Sequence, residues 1–139
     1  ILHIQRWYCR KKTNKKINMS LTLTPTLTLA STDLFSDELN FTVTDTLTIT
    51  APYNGLTRQT ITTADNQELV DEAVSGVKYF YAKNIDSTNF VVLQTTASVQ
   101  YARLSPGEFC FFPINDGAGL EARADTASCI LEFAFFTKG

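Results

Sequence analysis

Two stretches in the first half of the chain alternate apolar and hydroxyl side chains with a period of two. Residues 20–29 read SLTLTPTLTL, and residues 39–50 read LNFTVTDTLTIT. Successive side chains of a β-strand point to opposite faces, so this period places the apolar residues on one face and the threonines on the other. Threonine supplies 20 of the 139 residues, and its branched Cβ favours pleated strands. The sequence therefore predicts an all-β protein.

Each alternating stretch contains one residue that breaks its apolar row. Pro25 has no backbone N–H group, so we expect an edge strand or a break there. Asp45 interrupts the second row, so we expect a bulge or a change of strand near it. The apolar side chains of this second row are predicted to point inwards: Leu39, Phe41, Val43, Leu47 and Ile49.

The middle of the chain contains one turn signal and one ambiguous segment. Asn54-Gly55 is a strong hairpin signal and predicts a turn between two paired strands. Residues 64–76 allow two interpretations. Asp65 and Glu68 have the spacing of a capping box before a short apolar stripe, which favours a helix, but the segment is also short enough to be an extended connection.

The second half predicts further short strands separated by polar turns. One turn is Ser105–Glu108, where Pro-Gly has the order that a type II turn requires. Residues 109–113 are mostly aromatic and predict a strand buried on both faces. With about eight short strands and at most one short helix, the expected fold is a single antiparallel β-sandwich of jelly-roll type.

Charge divides the chain at Met19, its only methionine. Residues 1–18 carry six Lys/Arg and no acid, whereas residues 19–139 carry six bases and all 14 acids, a charge of −8. Residues 1–18 are either a basic arm that binds nucleic acid, with Trp7 and Tyr8 stacking on bases, or sequence upstream of a natural start at Met19. We favour the second interpretation and assign the β-sandwich domain to residues 19–139.

The residue types needed for catalysis are scarce. The only histidine, His3, lies in the leader, which disfavours nucleophile–histidine catalysis in the body. Cys110 and Cys129 have apolar neighbours and are predicted to pack as small hydrophobic residues. Neighbouring acids at 37–38 and 71–72 are predicted to be solvated, and a glycosidase that uses such acids is a weak alternative. We expect no enzyme activity, cofactor or metal, and no apolar run approaches the roughly 20 residues of a membrane helix.

Aromatic residues of the second half are candidates for an interface. Parity places Tyr79 and Tyr81 on one face of their strand and Phe80 on the other. Such aromatic rows favour core or interface packing, with stacking on a sugar as the alternative interpretation. The candidate interface residues are Leu21, Leu23, Leu27, Leu29, Tyr79, Tyr81 and Tyr101.

Three stretches of the second half resemble small virion proteins of tailed bacteriophages. They are KYFYAKNIDSTNFV at 78–91, RLSPGEFCFF at 103–112 and ARADTASCILEF at 122–133. In those proteins a YxYxKNxDxTNxV segment is followed by LxPGE and kADTaxxxLEY. The resemblance implies a non-enzymatic structural component of the particle, in particular a capsid decoration or cement protein that stabilises the shell. The alternative is a tail or fibre component with a carbohydrate-binding face.

The resemblance also implies partners and a location. The expected partners are the major capsid protein or another virion protein and further copies of this chain, with a trimer as the expected oligomer. Nucleic acid is a partner only if residues 1–18 are a genuine arm, and no membrane partner is expected. The expected location is the virion, and the host cytoplasm before assembly. From Pro25 and the edge-like pattern, we expect residues 20–29 to clamp a neighbouring subunit.

Overall fold

A computed structural model describes residues 21–65 and 67–139, and within these residues the chain forms twelve strands and no helix. The predicted leader, residues 1–18, and the boundary at Met19 lie outside the described residues. The all-β prediction is confirmed. The strands are β1 Leu21–Leu23, β2 Thr26–Ser31, β3 Leu39–Thr44, β4 Leu47–Tyr53, β5 Thr57–Ile61, β6 Gln67–Val70, β7 Lys78–Asn84, β8 Val91–Gln94, β9 Gln100–Leu104, β10 Phe109–Ile114, β11 Leu120–Ala124 and β12 Cys129–Lys138.

The strands form three antiparallel sheets. The six-stranded sheet has the order β1-β4-β12-β7-β10, with β5 also paired to β12. The four-stranded sheet has the order β6-β11-β8-β9, and β2 and β3 form a separate two-stranded sheet. Of the two interpretations of residues 64–76, the helix is wrong and the extended one is correct, because β6 pairs with β11 there, and this backbone pairing outweighs a weak capping signal.

Four nested strand pairs account for most of the fold. The pair β8·β9 is enclosed in turn by β7·β10, β6·β11 and β5·β12. Successive pairs alternate between the four-stranded and the six-stranded sheet, which is the winding of a jelly roll. The two-stranded sheet lies outside this winding, so the described chain is a jelly roll with an addition rather than the expected single sandwich of about eight strands.

The predicted Asn54-Gly55 hairpin does not form, although the chain does leave β4 there. Both β4 and β5 pair with the ten-residue strand β12 and not with each other. The backbone N–H of Asn54 donates to the carbonyl oxygen of Phe135 at 3.1 Å, and the Asn54 side chain accepts from the N–H of Phe135. The Asn-Gly pair therefore connects β4 and β5, which pair with successive parts of β12.

One hydrophobic core lies between the two large sheets. Phe80 and Leu131 from the six-stranded sheet and Leu93 and Leu120 from the four-stranded sheet belong to a single buried cluster. The fully buried Lys78 lies at one edge of this region, and its Nζ donates to the carbonyl oxygens of Val74 and Gly76. A buried ammonium group needs such acceptors, so Lys78 ties the connection before β7 to the sheet.

The six-stranded sheet is covered on one face by the core and is much more open on the other. Along β10, Cys110, Phe112 and Ile114 point inwards, while Phe109 is 63% exposed and Phe111 is 39% exposed. The prediction that residues 109–113 are buried on both faces is therefore wrong. We call the side that carries Phe109 and Phe111 the outer face.

The three stretches that carry the phage resemblance meet at one end of the sandwich, around Asn84. The fully buried side-chain amide of Asn84 donates to the carbonyl oxygens of Asn89 at 2.8 Å and Leu104 at 2.9 Å, and its Oδ1 accepts from the N–H of Asp86 at 3.0 Å. The backbone of Asn84 also donates to the carbonyl of Glu108 at 2.9 Å. One side chain thus joins the turn after β7 to the turn before β10.

The turns around Asn84 are held by their own polar residues. N–H groups of Asn89 and Thr88 donate to Asp86 and lower the pKa of its carboxyl group. Gly107 has φ +83°, and the N–H of Glu108 donates to the carbonyl of Ser105 at 3.0 Å, as the predicted Pro-Gly turn requires. These shared residues therefore have a structural role in the turns.

Asn84 is fully buried. Replacing it with Ala removes the amide group that donates to two carbonyl oxygens and the Oδ1 atom that accepts from the N–H of Asp86. We expect a loss of about 2–4 kcal/mol in the free energy of unfolding, because two carbonyl groups lose their partners without gaining water. Urea unfolding followed by circular dichroism measures this loss. The exposed Asn115→Ala is the matched control, with an expected change within about 0.5 kcal/mol. Equal stability of Asn84→Ala and the control contradicts the role given to Asn84.

Candidate interaction surface

The two-stranded sheet continues the β1–β4 ladder beyond an interruption. Leu23 pairs with Leu47 at the end of that ladder, and Thr26 pairs with Thr44 three positions further along each strand. Pro25 and Asp45 stand opposite each other at the interruption, where the N–H of Asp45 donates to the carbonyl of Pro25 at 3.2 Å. The breaks predicted at Pro25 and Asp45 are confirmed, and they coincide. We call residues 26–44 the arm.

The arm has one hydroxyl face and one apolar face. Hydroxyl groups of Thr26 and Thr44 are 3.1 Å apart and those of Thr28 and Thr42 are 2.8 Å apart, so each cross-strand pair forms a hydrogen bond. On the other face the side chains are largely in solvent. Its four members are Leu27, Leu29 and Phe41, each 44% exposed, and Val43, 59% exposed.

The prediction that the whole second row points into a core is therefore wrong for the arm. Ile49 is 6% exposed, and Leu39 and Leu47 are half-buried, but Phe41 and Val43 remain open. The period-two pattern establishes which side chains share a face. Whether that face is covered depends on what packs against it, and in the described residues only the part of the row nearest the jelly roll is covered.

The outer face of the six-stranded sheet presents a group of aromatic side chains near the base of the arm. The rings of Tyr79 and Phe111 are stacked, with centroids 6.2 Å apart and planes 10° apart. Tyr81 is paired with Phe111 in the β7–β10 ladder, and Phe136 is paired with Tyr79 in the β7–β12 ladder. Burial raises the pKa of the Tyr81 hydroxyl, and the neighbouring Glu132 carboxylate raises it further.

A cleft of about 610 Å³ separates the arm from the outer face. One side is formed by Leu27 and Val43 of the arm and by Leu47 of β4, and the other side includes Tyr79 and Phe111. A smaller cleft of about 260 Å³ continues past Leu23 and Leu56 towards Phe136. The walls are predominantly apolar, and exposed apolar patches with such continuity mark interaction sites.

The structure brings together six of the seven candidate interface residues. Leu21, Leu23, Leu27 and Leu29 lie on the apolar face that runs from β1 into the arm, and Tyr79 and Tyr81 lie on the outer face beside it. Tyr101 lies elsewhere, on the edge strand β9 of the four-stranded sheet.

Tyr101 packs against the edge of the sandwich rather than on the outer face. Its ring meets the ring of Phe112 edge-on, with centroids 6.2 Å apart. Burial raises the pKa of the Tyr101 hydroxyl to about 12. Tyr101 therefore does not belong to the surface formed by the arm and the outer face.

The sequence predicts an interior position for four residues that the structure places on this surface: Phe41, Val43, Phe109 and Phe111. Phe109 and Phe111 alternate with the inward-pointing Cys110 and Phe112, so the period-two signal was present within residues 109–113. The high aromatic content of that stretch concealed it, because aromatic residues are equally compatible with a doubly buried strand.

The titratable residues of the described chain mostly support its turns. Asp71 accepts from the N–H of Ala73 at 2.8 Å, and Glu72 accepts from the hydroxyl of Thr96 at 3.0 Å. Within residues 21–65 and 67–139, no three His, Cys, Asp or Glu side chains are placed to hold a metal ion. In the same residues no helix is long and apolar enough to cross a membrane.

Comparison of the chain with protein-family models, with curated proteins and with solved structures finds no match. The arrangement of the arm and the outer face therefore has to be interpreted from its own chemistry. It offers hydrophobic contact area and aromatic rings, which suit association with another macromolecule.

Cys110 is predicted to be a poorly reactive thiol. Burial raises its pKa from 9.0 to about 11, so its thiolate fraction at neutral pH is about 100-fold lower than that of an unperturbed thiol. We expect iodoacetamide at pH 7 to modify the peptide that contains Cys110 at least about 30-fold more slowly in the native protein than in urea. Mass spectrometry of timed samples measures both rates, and equal rates contradict the burial assigned to this side chain.

Proposed function

We propose that this chain is a non-enzymatic structural component of a tailed-phage particle, specifically a capsid decoration or cement protein. It binds the shell through the arm and the outer face and adds contacts between shell subunits. The single observation that carries the proposal is the arm. The four side chains of its apolar face are about half exposed, while its hydroxyl face is hydrogen-bonded across the strands.

The arm has the physical properties that an attachment element requires. The backbone groups that point between β2 and β3 are paired, and the others point sideways from the two edges of the ribbon, so the apolar face can be buried against a partner without covering them. Burial of apolar area is the main favourable contribution to protein association. The threonine face remains compatible with water or with a polar neighbour, so contact is directed to one side of the arm.

The resemblance of residues 77–135 to phage virion proteins supports the particle role. The residues of those stretches hold the turns of the jelly roll around Asn84, which supports a shared scaffold. Jelly rolls recur in viral capsid and lectin domains, although a fold alone does not define a function. The scaffold supports the class of protein, and the arm supports the mode of attachment.

Removal of the arm tests the proposal. Pro25 and Asp45 are adjacent across the ribbon, so replacing residues 26–44 with Asn-Gly closes the β1–β4 ladder with a two-residue turn. We expect this variant to fold and to bind at least about ten-fold more weakly, since 1.4 kcal/mol of lost contact is sufficient for that change. Co-sedimentation with DNA-free capsids assembled from the capsid protein of the same virus measures the binding.

Two controls accompany that experiment. The thermal unfolding midpoint shows that the shortened variant retains the jelly roll, and Thr28→Lys places a charge on the hydroxyl face without changing the apolar face. We expect Thr28→Lys to bind like the wild type. Capsid binding that is unchanged after loss of the arm, or absent in the wild type, contradicts the proposed function.

A second candidate function is carbohydrate binding by a tail or fibre component. The observation that favours it is an open cleft of about 410 Å³ lined by Gln100, Tyr101 and Arg103, with the Arg103 guanidinium 3.6 Å from the centroid of the Phe90 ring. An aromatic ring beside amide and guanidinium donors can contact both the apolar and the hydroxyl surfaces of a sugar.

A glycan array tests this second function. If the Tyr101 cleft binds sugars, the wild type binds a defined set of glycans and Tyr101→Ala loses at least about ten-fold in affinity through lost ring contact. Val99→Ala is the matched control, because Val99 is exposed beside the same strand and does not line the cleft. An array without specific binding by the wild type excludes this candidate for the glycans tested.

A further inference from the structure

The arm and the outer face are two exposed apolar surfaces of one chain. Each is a surface that can cover the other from water. The arm is a two-stranded ribbon with one apolar face, and the outer face is an aromatic sheet surface. Apolar sheet faces pack on one another with a separation of about 10 Å, each covering the other from water. These surfaces therefore match in polarity.

We infer that the partner of this surface is a second copy of the chain, with the arm of each copy lying on the outer face of the other. The inference rests on the proposed function, because it uses the same surface and names a second copy of the chain as the partner that binds there. Each arm contributes Leu29 and Phe41, and each outer face contributes Phe109 and Phe111. The contact repeats in closed symmetry, with two copies as the smallest assembly.

The exposed area agrees with what a stable dimer needs. With about 200 Å² for a large side chain, the exposed fractions of the four side chains on the apolar face of the arm correspond to roughly 400 Å². Tyr53 is paired with Phe136 and Leu56 lies beside Phe136, so both belong to the outer face. Together with Phe109 and Phe111 they contribute a similar area, roughly 400 Å². Two reciprocal contacts that cover all of this area, including the part that faces the cleft, bury roughly 1,600 Å² in total, the size of a standard specific interface.

Charge at the end of the arm favours the same arrangement. The connection between β2 and β3 carries three exposed acids, Asp33, Asp37 and Glu38. Beside Phe109 the outer face continues across the strands through Lys83 and Glu132 to Arg58. Arg58 forms an ion pair with Glu132 at 3.0 Å, so Lys83 supplies the unbalanced positive charge there. An arm that lies across a second copy's aromatic residues brings its acidic tip towards this basic end, where opposite charges attract at close range.

The geometry also argues against closure of each arm on its own sheet. The cleft between the arm and its own outer face has a volume of about 610 Å³, and Leu29 and Phe41 are not among the residues that line it. These two side chains lie further towards the end of the arm, on the far side of Leu27 and Val43. They are placed to meet another molecule.

Mass measurement of the full chain tests the inference in the absence of any capsid. Size-exclusion chromatography with light scattering is expected to give a mass of two chains of 15.5 kDa, or a larger whole multiple in a closed ring. Phe41→Lys on the arm and Phe109→Glu on the outer face are each expected to raise the dissociation constant at least about 100-fold and to give monomers. Circular dichroism melting confirms that both variants fold.

Two matched controls place a charge elsewhere. Thr42→Lys changes the hydroxyl face of the same strand of the arm, and Val99→Glu changes an exposed apolar residue next to the four-stranded sheet. Both are expected to keep the wild-type mass. A mixture of Phe41→Lys with Phe109→Glu is expected to recover a complex of one copy each, since it has one unchanged contact and one contact between Lys and Glu.

The remaining outcomes overturn the inference. The first is a wild type that stays monomeric, and the second is a Phe41→Lys variant that keeps the wild-type mass. The third is a complex that Phe41→Lys dissociates but Phe109→Glu does not, because that result indicates packing of one arm against another arm. A monomer that holds an apolar small molecule in native mass spectrometry overturns it as well. A monomeric wild type that still needs its arm to bind capsids refutes only this inference, whereas an oligomer that fails to bind capsids refutes only the proposed function.

Discussion

The six-stranded sheet has two apolar faces, and the four-stranded sheet covers only one of them. Residues such as Phe80 and Leu131 on the covered face form the core, while Phe109 and Phe111 on the other face remain in contact with water. The jelly-roll winding explains this difference, since nested strand pairs that alternate between two sheets create one enclosed space. Every apolar residue on the outer face must then be covered from outside the jelly roll.

The arm follows from the same constraint at the start of the chain. Pro25 removes a hydrogen-bond donor from one strand and Asp45 stands opposite it on the other, so the ladder is interrupted at one point and resumes as a separate sheet. Beyond this point the alternation of leucine and threonine continues without the cover of a second sheet. The result is a ribbon with one apolar and one hydroxyl face, attached to the jelly roll beside the exposed aromatic side chains.

Local sequence patterns predicted the parts of this structure that depend on local rules. Strand parity at Tyr79, Phe80 and Tyr81, the breaks at Pro25 and Asp45 and the Pro-Gly turn all come from backbone chemistry within a few residues. The errors concern distant partners. Asn54-Gly55 does not close a hairpin because β12 is long enough to pair with both flanking strands, and Phe41 and Val43 are not in a core because no described second sheet covers them. A single sequence contains little information on which distant strand pairs with which, so sheet order and coverage could not be predicted from it.

We propose that a jelly-roll scaffold, organised at one end by Asn84, carries an arm and an outer face that cover each other between copies. The most direct test is hydroxyl-radical footprinting of the wild type over a dilution series, which reports the solvent exposure of individual aromatic side chains. The account predicts that Phe41 and Phe109 become protected together as the concentration rises, while Tyr101 keeps the same reactivity throughout. Reactivity of Phe41 and Phe109 that is the same at every concentration, or protection that appears at Tyr101 instead, contradicts it.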